Sequence, residues 1–212
     1  MARSTTGPSP RPNQRDEAAR NTAVLDAASE VFLEFGFQKA STAEIARRAR
    51  TSKRALYDCY SSKEAIFIAV MRRRSDTVIA PFMTLNDNEP PATALRGFGL
   101  SVLRLINTLE TRKLHPMVAM ASISCPELAR QYWDNGPGRA KQKLQHYLAA
   151  QDRGGHLSID DASEAAELFF GALLGTAVMR TVFGQPPILT TEPEQSRRVD
   201  RAVSMFLRVY AA

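Results

Sequence analysis

Cysteine is almost missing from this chain. Cys59 and Cys125 are the only two in 212 residues, too few for a disulfide framework and spaced like no metal motif. Cys59 is expected to pack rather than to act in redox chemistry. The three histidines are dispersed, and His115 and His146 are expected to be structural or exposed. No Gly-rich phosphate loop and no metal-ligand spacing occurs, and nothing places a base beside a nucleophile. The sequence therefore predicts no catalysis, no cofactor and no metal. No apolar run approaches the roughly 20 residues that cross a bilayer. The basic start, MARSTTGPSPRPNQR, has no apolar stretch behind it and does not read as a secretory signal. A cytoplasmic protein with no membrane partner is the expectation. No stretch alternates as a strand would, so an all-α fold is predicted.

What is present is positive charge, unevenly spread. Residues 1–74 hold 14 Lys+Arg against 8 Asp+Glu, whereas residues 75–212 hold 14 of each. A basic head on a neutral body suggests a polyanion-binding segment joined to one with another task.

The chain divides accordingly. Residues 1–13, with three prolines, are expected to form a disordered arm. Residues 14–62 form a small helical domain, and residues 63–212 a larger one, with a helix over 63–80 connecting them and ending before Pro81. In the first helix Leu25, Ala28, Phe32 and Phe35 share one face, and Gly36 ends it so that Phe37 folds back. Ser41 and Glu44 are spaced as a capping box for a short second helix with Ile45, Ala46 and Ala49 on its buried side. After the turn Ala49-Arg50-Thr51, a third helix runs to Cys59 with Ala55, Leu56 and Cys59 facing the core. A fourth opens at Ser61-Ser62-Lys63-Glu64, with Ala65, Ile66, Ala69 and Val70 continuing it. Further helices are expected over about 92–110, 114–123, 126–149, 161–183 and 194–210, with a break at His115-Pro116 and a kink or split at Gly136-Pro137-Gly138.

Two short helices joined by a three-residue turn are a helix-turn-helix pattern. The first braces on the phosphate backbone while the second enters the major groove. Lys53, Arg54, Tyr57 and Asp58 are its outward residues: Arg and Lys reach guanine, Tyr57 a phosphate or thymine methyl, and Asp58 a cytosine or Arg54 itself. Ser41, Thr42 and Lys63 fall at helix N-termini suited to phosphate.

The stretch VLDAASEVFLEFGFQKASTAEIARRARTSKRALYDCYSSKEAIFIAV resembles the DNA-binding domain of the TetR family. The likeness rests on the Phe-x-x-x-Gly-Phe helix ending, Ile45-Ala46, Leu56-Tyr57, the aromatic Tyr60 and Ser62-Lys63-Glu64. It implies DNA contacts from Ser41, Thr42, Lys53, Arg54, Tyr57 and Lys63, and places Ala55 and Tyr60 within the same site. Arg50 stands where the family usually has glycine. A left-handed non-glycine residue costs about 1–2 kcal/mol, so either the turn is altered or a phosphate contact from Arg50 offsets the cost.

PELARQYWDNGP and GHLSIDDASEAAELFFGALLG resemble the effector domain of the AefR-like branch of that family. This implies a homodimer in which helices 161–183 and 194–210 pair with their symmetry mates. Phe169, Leu173, Leu174, Val199, Val203 and Phe206 are the expected interface, with Gly171, Ala172 and Gly175 permitting close approach. Leu103, Ile106, Met117, Met120, Trp133, Tyr147, Phe170 and Met179 are the candidate pocket for an unidentified, largely apolar effector. The expected function is a repressor of palindromic operator DNA, released by that effector. The alternative is a helix-turn-helix interaction module without sequence-specific DNA binding.

Overall fold

A computed structural model describes residues 12–79 and 85–212. The fold is all-α, and the only extended pairing among the described residues is an isolated bridge between Leu157 and Ala211. Residues 1–11 of the expected arm, and the expected helix end before Pro81, lie outside the described residues; Pro12 and Asn13 already belong to the first helix.

The chain forms two compact units that meet in sequence between Val70 and Met71. The first contains α1 (Pro12–Lys39), α2 (Thr42–Arg48), α3 (Lys53–Cys59) and the start of α4 (Lys63–Arg74). The expected boundary at 62/63 falls short of this division, because Ile66, Phe67 and Val70 of α4 are buried in the first unit. Inside α1 the helix breaks at Gly36 (φ 73°, ψ 164°), a left-handed position that favours glycine. The break returns Phe37 to the core, where Phe32, Phe37 and Phe67 meet at ring separations of 5.3–5.8 Å. Burying each ring contributes about 1.5–3 kcal/mol. Phe35, expected on the buried face, is 42% exposed, and Val31 takes that place. Near the helix end the Phe35 ring instead meets the Arg48 guanidinium, 5.6 Å from the ring centroid.

The second unit continues α4 through a π-helical turn at Ser75–Ile79. It then builds α5 (Pro91–Asn107), α6 (Leu109–Ala121), α7 (Pro126–Asn135), α8 (Pro137–Arg153), α9 (Ala162–Leu174), α10 (Ala177–Val182) and α11 (Glu192–Tyr210). The helix α5 packs on α11, α8 on both α7 and α9, and α6 on α7 and α10. A core of Leu95, Phe98, Leu144, Phe169, Val199 and Phe206 lies among α5, α8, α9 and α11. A Cβ at Gly99 would stand 3.0 Å from a Val199 methyl, so glycine sets how closely α5 and α11 approach.

Two expected features change. Pro116 lies inside α6 rather than breaking it; packing of this helix on α7 and α10 outweighs the lost backbone donor. The segment 161–183 is two helices, because Gly175 turns left-handed at φ 50° and closes α9 by donating to Gly171. The Gly136 break is as expected and separates α7 from α8.

Candidate nucleic-acid interface and ligand cavity

The short pair α2 and α3 is fixed by local chemistry. Ser41 Oγ accepts from the Glu44 amide and Ser52 Oγ from the Ala55 amide, so a serine caps each helix. The capping-box glutamate is used differently from expectation. Glu44 accepts from Arg47 at 2.7 and 2.8 Å and from Arg48 at 2.7 Å. Those guanidinium bonds hold its carboxyl down at about 2. Arg48 also pairs with Glu34 at 2.8 Å, tying α2 to α1.

Arg50 adopts φ 52°, so the turn keeps the left-handed geometry although it lacks glycine. The Thr51 amide donates to Ala46 and the Arg50 amide to Arg47, which closes α2 around it. The Arg50 side chain is exposed.

On α3, Leu56 is completely buried while Lys53, Arg54, Tyr57 and Asp58 point outward. Tyr57 Oη lies 3.1 Å from Thr42 Oγ1, and Lys53 lies over the Tyr57 ring at 6.0 Å. Ala55 is half-buried, and Cys59, expected to pack, is exposed because the last turn of α3 rotates it outward. Tyr60, after α3, donates its hydroxyl to Asn21 of α1.

Lys63 stands apart from the other expected contacts. Its ammonium donates to the carbonyls of Phe37, Gln38 and Ala40 at 2.8, 3.2 and 3.2 Å and sits 4.6 Å over the Phe37 ring. It caps the end of α1, so its charge is already engaged within the unit. Nothing in local sequence revealed this, because the pairing spans 23 to 26 residues.

The second unit contains a largely apolar cavity of about 260 Å³. Ile106, Trp133 and Phe170 of the expected pocket line it. The other five do not: Leu103 is buried in the core, Tyr147 borders a separate polar cleft, Met117 is half-buried elsewhere, and Met120 and Met179 are 68% and 61% exposed. Apolarity selects core and surface equally well, whereas a cavity is defined by a gap between helices.

Residues outside the expected pocket also occupy the wall. Met71 and Arg74, from the last turn of α4, both line it. Arg74 is 7% exposed, donates to Thr111 Oγ1 at 2.5 Å and forms an ion pair with Glu110. His115 and Tyr132 meet edge-to-face with centroids 6.0 Å apart. Burial, helped by the Arg74 charge, pushes the His115 imidazolium down, and burial raises the Tyr132 phenol to about 12. Both side chains are therefore neutral near pH 7. Lys141 and Glu167 pair at 2.7 Å on the more exposed side.

The expected dimer residues are placed largely in the chain's own core. Phe169, Leu173, Val199, Val203 and Phe206 are each 7% exposed or less, and Leu174 faces the cavity. They cannot form an interface without opening the core. On the outer faces of α9 and α11 stand Leu168, Met205 and Val209, at 55%, 61% and 71% exposure.

Among the described residues no helix is long and apolar enough to cross a membrane, and no cluster of His, Cys, Asp and Glu could hold a metal ion.

Comparison with known proteins follows this division. Residues 24–70 match the model of bacterial regulatory proteins of the tetR family, and residues 93–212 match the C-terminal domain of AefR-like transcriptional repressors. The A-factor receptor protein of Streptomyces griseus is 45% identical over 56 residues, 26% of this chain and 20% of that protein. The chain thus matches about a fifth of the length of this curated relative. A TetR-family regulator structure from Mesorhizobium loti superposes with a TM-score of 0.83 at 23% identity, covering 92% of this chain and 98% of that one. The structure of the flavonoid-responsive regulator FrrA gives 0.77 at 26% identity, over 92% and 98%. With its C-terminal model alone covering more than half of the sequence, the chain belongs to the TetR family of transcriptional regulators.

Proposed function

We propose that this chain is a homodimeric repressor that binds palindromic operator DNA through α2 and α3 and is released when a small effector enters the α5–α9 cavity. The observation that carries the DNA-binding reading is the division of α3. Leu56 and the Ser52 cap hold the helix, leaving Lys53, Arg54, Tyr57 and Asp58 exposed and free to meet base edges. Thr42 and Tyr57, linked to each other, and Arg50 in the turn are assigned to phosphate contacts, with Ser41 at the start of α2 and half-buried Ala55 on α3 completing the site. Lys63 and Tyr60 support the site by fixing α1.

Dimerisation follows from the use of one reading head per chain: a two-fold operator needs two, about 34 Å apart. Leu168, Met205 and Val209 supply the outward apolar surface for it. The effector reading draws on Met71 and Arg74, which carry α4 into the cavity wall. A ligand there acts on the helix whose first turn holds Lys63. To release DNA it binds the DNA-incompetent arrangement more tightly, since equal affinity shifts nothing. The A-factor receptor and the flavonoid-responsive regulator are, by name, ligand-responsive, which supports the same for this chain.

Selection of bound fragments from the source genome tests the function. A single recovered palindrome, with affinity that falls steeply as salt rises, is the expected result. Sequence-blind or salt-insensitive capture would instead favour the interaction-module reading. A recovered site upstream of a promoter whose transcription rises with the protein would replace repression by activation.

A further inference from the structure

We infer that the α5–α9 cavity selects small aryl-alkanoic acids, with Arg74, His115 and Tyr132 receiving the carboxylate and the apolar wall receiving the ring. This rests on the reading of that cavity as the effector site.

The case begins with Arg74. A guanidinium is always charged and presents five N–H donors in a planar fork. Here it is 7% exposed in a cavity whose wall is otherwise largely apolar. Thr111 accepts from Nη2. Glu110 is its ion partner through Nη1, so two partners meet a guanidinium with five N–H donors, and the Glu110 carboxylate is itself 40% exposed. Donor capacity therefore remains on a buried cation. Thr111 cannot absorb more of it, since its hydroxyl oxygen also accepts from Thr108.

Next to Arg74 the wall adds groups that donate without adding charge. His115 Nδ1 is buried and unpaired, and its ring meets that of Tyr132. A buried polar atom without a partner costs free energy, which a ligand oxygen recovers when Nδ1 carries the imidazole proton. A carboxylate fits this end because it accepts several hydrogen bonds and matches the arginine fork in a bidentate manner. A neutral amide matches less well, since its NH2 would face donors.

Val102, Leu105, Ile106, Phe170 and Leu174 also line the cavity and offer only hydrocarbon. A volume of about 260 Å³ falls just below the roughly 300 Å³ at which pockets for drug-sized ligands begin. A one-ring acid therefore suits that volume better than a long acyl chain.

Trp133 lines the cavity and is the only tryptophan in the chain, so its fluorescence reports occupancy without a label. The test uses the full-length protein with phenylacetate, 3-phenylpropionate and 4-phenylbutyrate, each paired with its primary amide. At least one acid is expected to change Trp133 emission saturably and to bind about tenfold or more tighter than its amide. Arg74→Gln should erase that preference. Because Arg74 is buried, Tyr132→Phe serves as a second variant that removes one hydroxyl only; it should weaken the acid several-fold and leave the amide unchanged. Equal binding of acid and amide in the unaltered protein overturns the acid assignment but keeps the cavity as a ligand site. Binding of neither probe also overturns it, and Ala140→Trp then separates the two readings. If that cavity-filling variant alters operator affinity, the effector site stands and only the acid class falls. If it folds and leaves operator affinity unchanged, both fall.

Discussion

Lys63 Nζ donates to the Phe37 carbonyl at 2.8 Å and lies over the same residue's ring at 4.6 Å. One side chain therefore satisfies the end of α1 and packs against the aromatic core that follows it. Lys63→Ala should destabilise the first unit by about 2 kcal/mol, the size of a charge-assisted hydrogen-bond set. Chemical denaturation checks this. A variant of unchanged stability whose operator affinity collapses would return Lys63 to direct phosphate contact.

Lys53→Ala combined with Arg54→Ala should abolish operator binding while the melting temperature and the dimer persist, because both side chains are exposed and neither enters the core. Each major-groove contact is worth about 1–3 kcal/mol. Gel shift alongside ultracentrifugation reads both properties, and retained specific binding would refute the assignment of α3.

Arg50→Gly sets two effects against each other. Removing the left-handed side chain at φ 52° relieves about 1 kcal/mol, while glycine's unfolded-state freedom takes back about 0.4–1 kcal/mol. Stability should change little. If Arg50 touches a phosphate, the dependence of log affinity on log salt becomes shallower by about 1; an unchanged slope would mean that it reaches none.

Residues adjacent in sequence should behave oppositely on α11. Met205→Glu, together with Leu168→Glu, should leave a folded monomer, whereas Phe206→Ala should cost about 3–5 kcal/mol of folding stability. Sedimentation and thermal melting distinguish these outcomes, and an unaltered dimer in the double variant would move the interface elsewhere.

The pH dependence of the second unit follows from His115, whose folded form is held neutral mainly by burial. Its folded pKa lies below the unfolded value of 6.5, so the unfolded state binds more protons in between. Stability is full above about 6.5 and falls as the pH drops through that window, by at most about 1.4 kcal/mol per unit. His115→Gln should flatten melting temperature against pH there; the same slope in both proteins would exclude His115.

The helix-turn-helix was legible because its determinants are local. Ser41, Ser52, Gly36 and Arg50 each act within four residues of themselves. The Lys63 cap and the cavity were not, since both depend on residues brought together from distant positions. One signal was nevertheless present: Phe67, Val70, Met71 and Arg74 continue a single helical stripe, so an arginine occupies a position where apolar periodicity predicts burial. The residues expected at the dimer interface are mostly buried within the chain for the complementary reason. Choosing the most apolar positions of α9 and α11 selects the face that the chain buries for itself, and the neighbouring face of Leu168 and Met205 is less conspicuous.

The outward face of α3 holds almost nothing that the fold requires. Ser52 and Leu56 secure the helix, and Lys53, Arg54 and Asp58 are exposed. Substitutions at those three positions are thus nearly neutral for folding, and under the proposed function they alter which base pairs are favoured. A duplicated copy of such a gene could acquire a new set of target promoters in a few steps, keeping its sensor unchanged and passing through no unfolded intermediate.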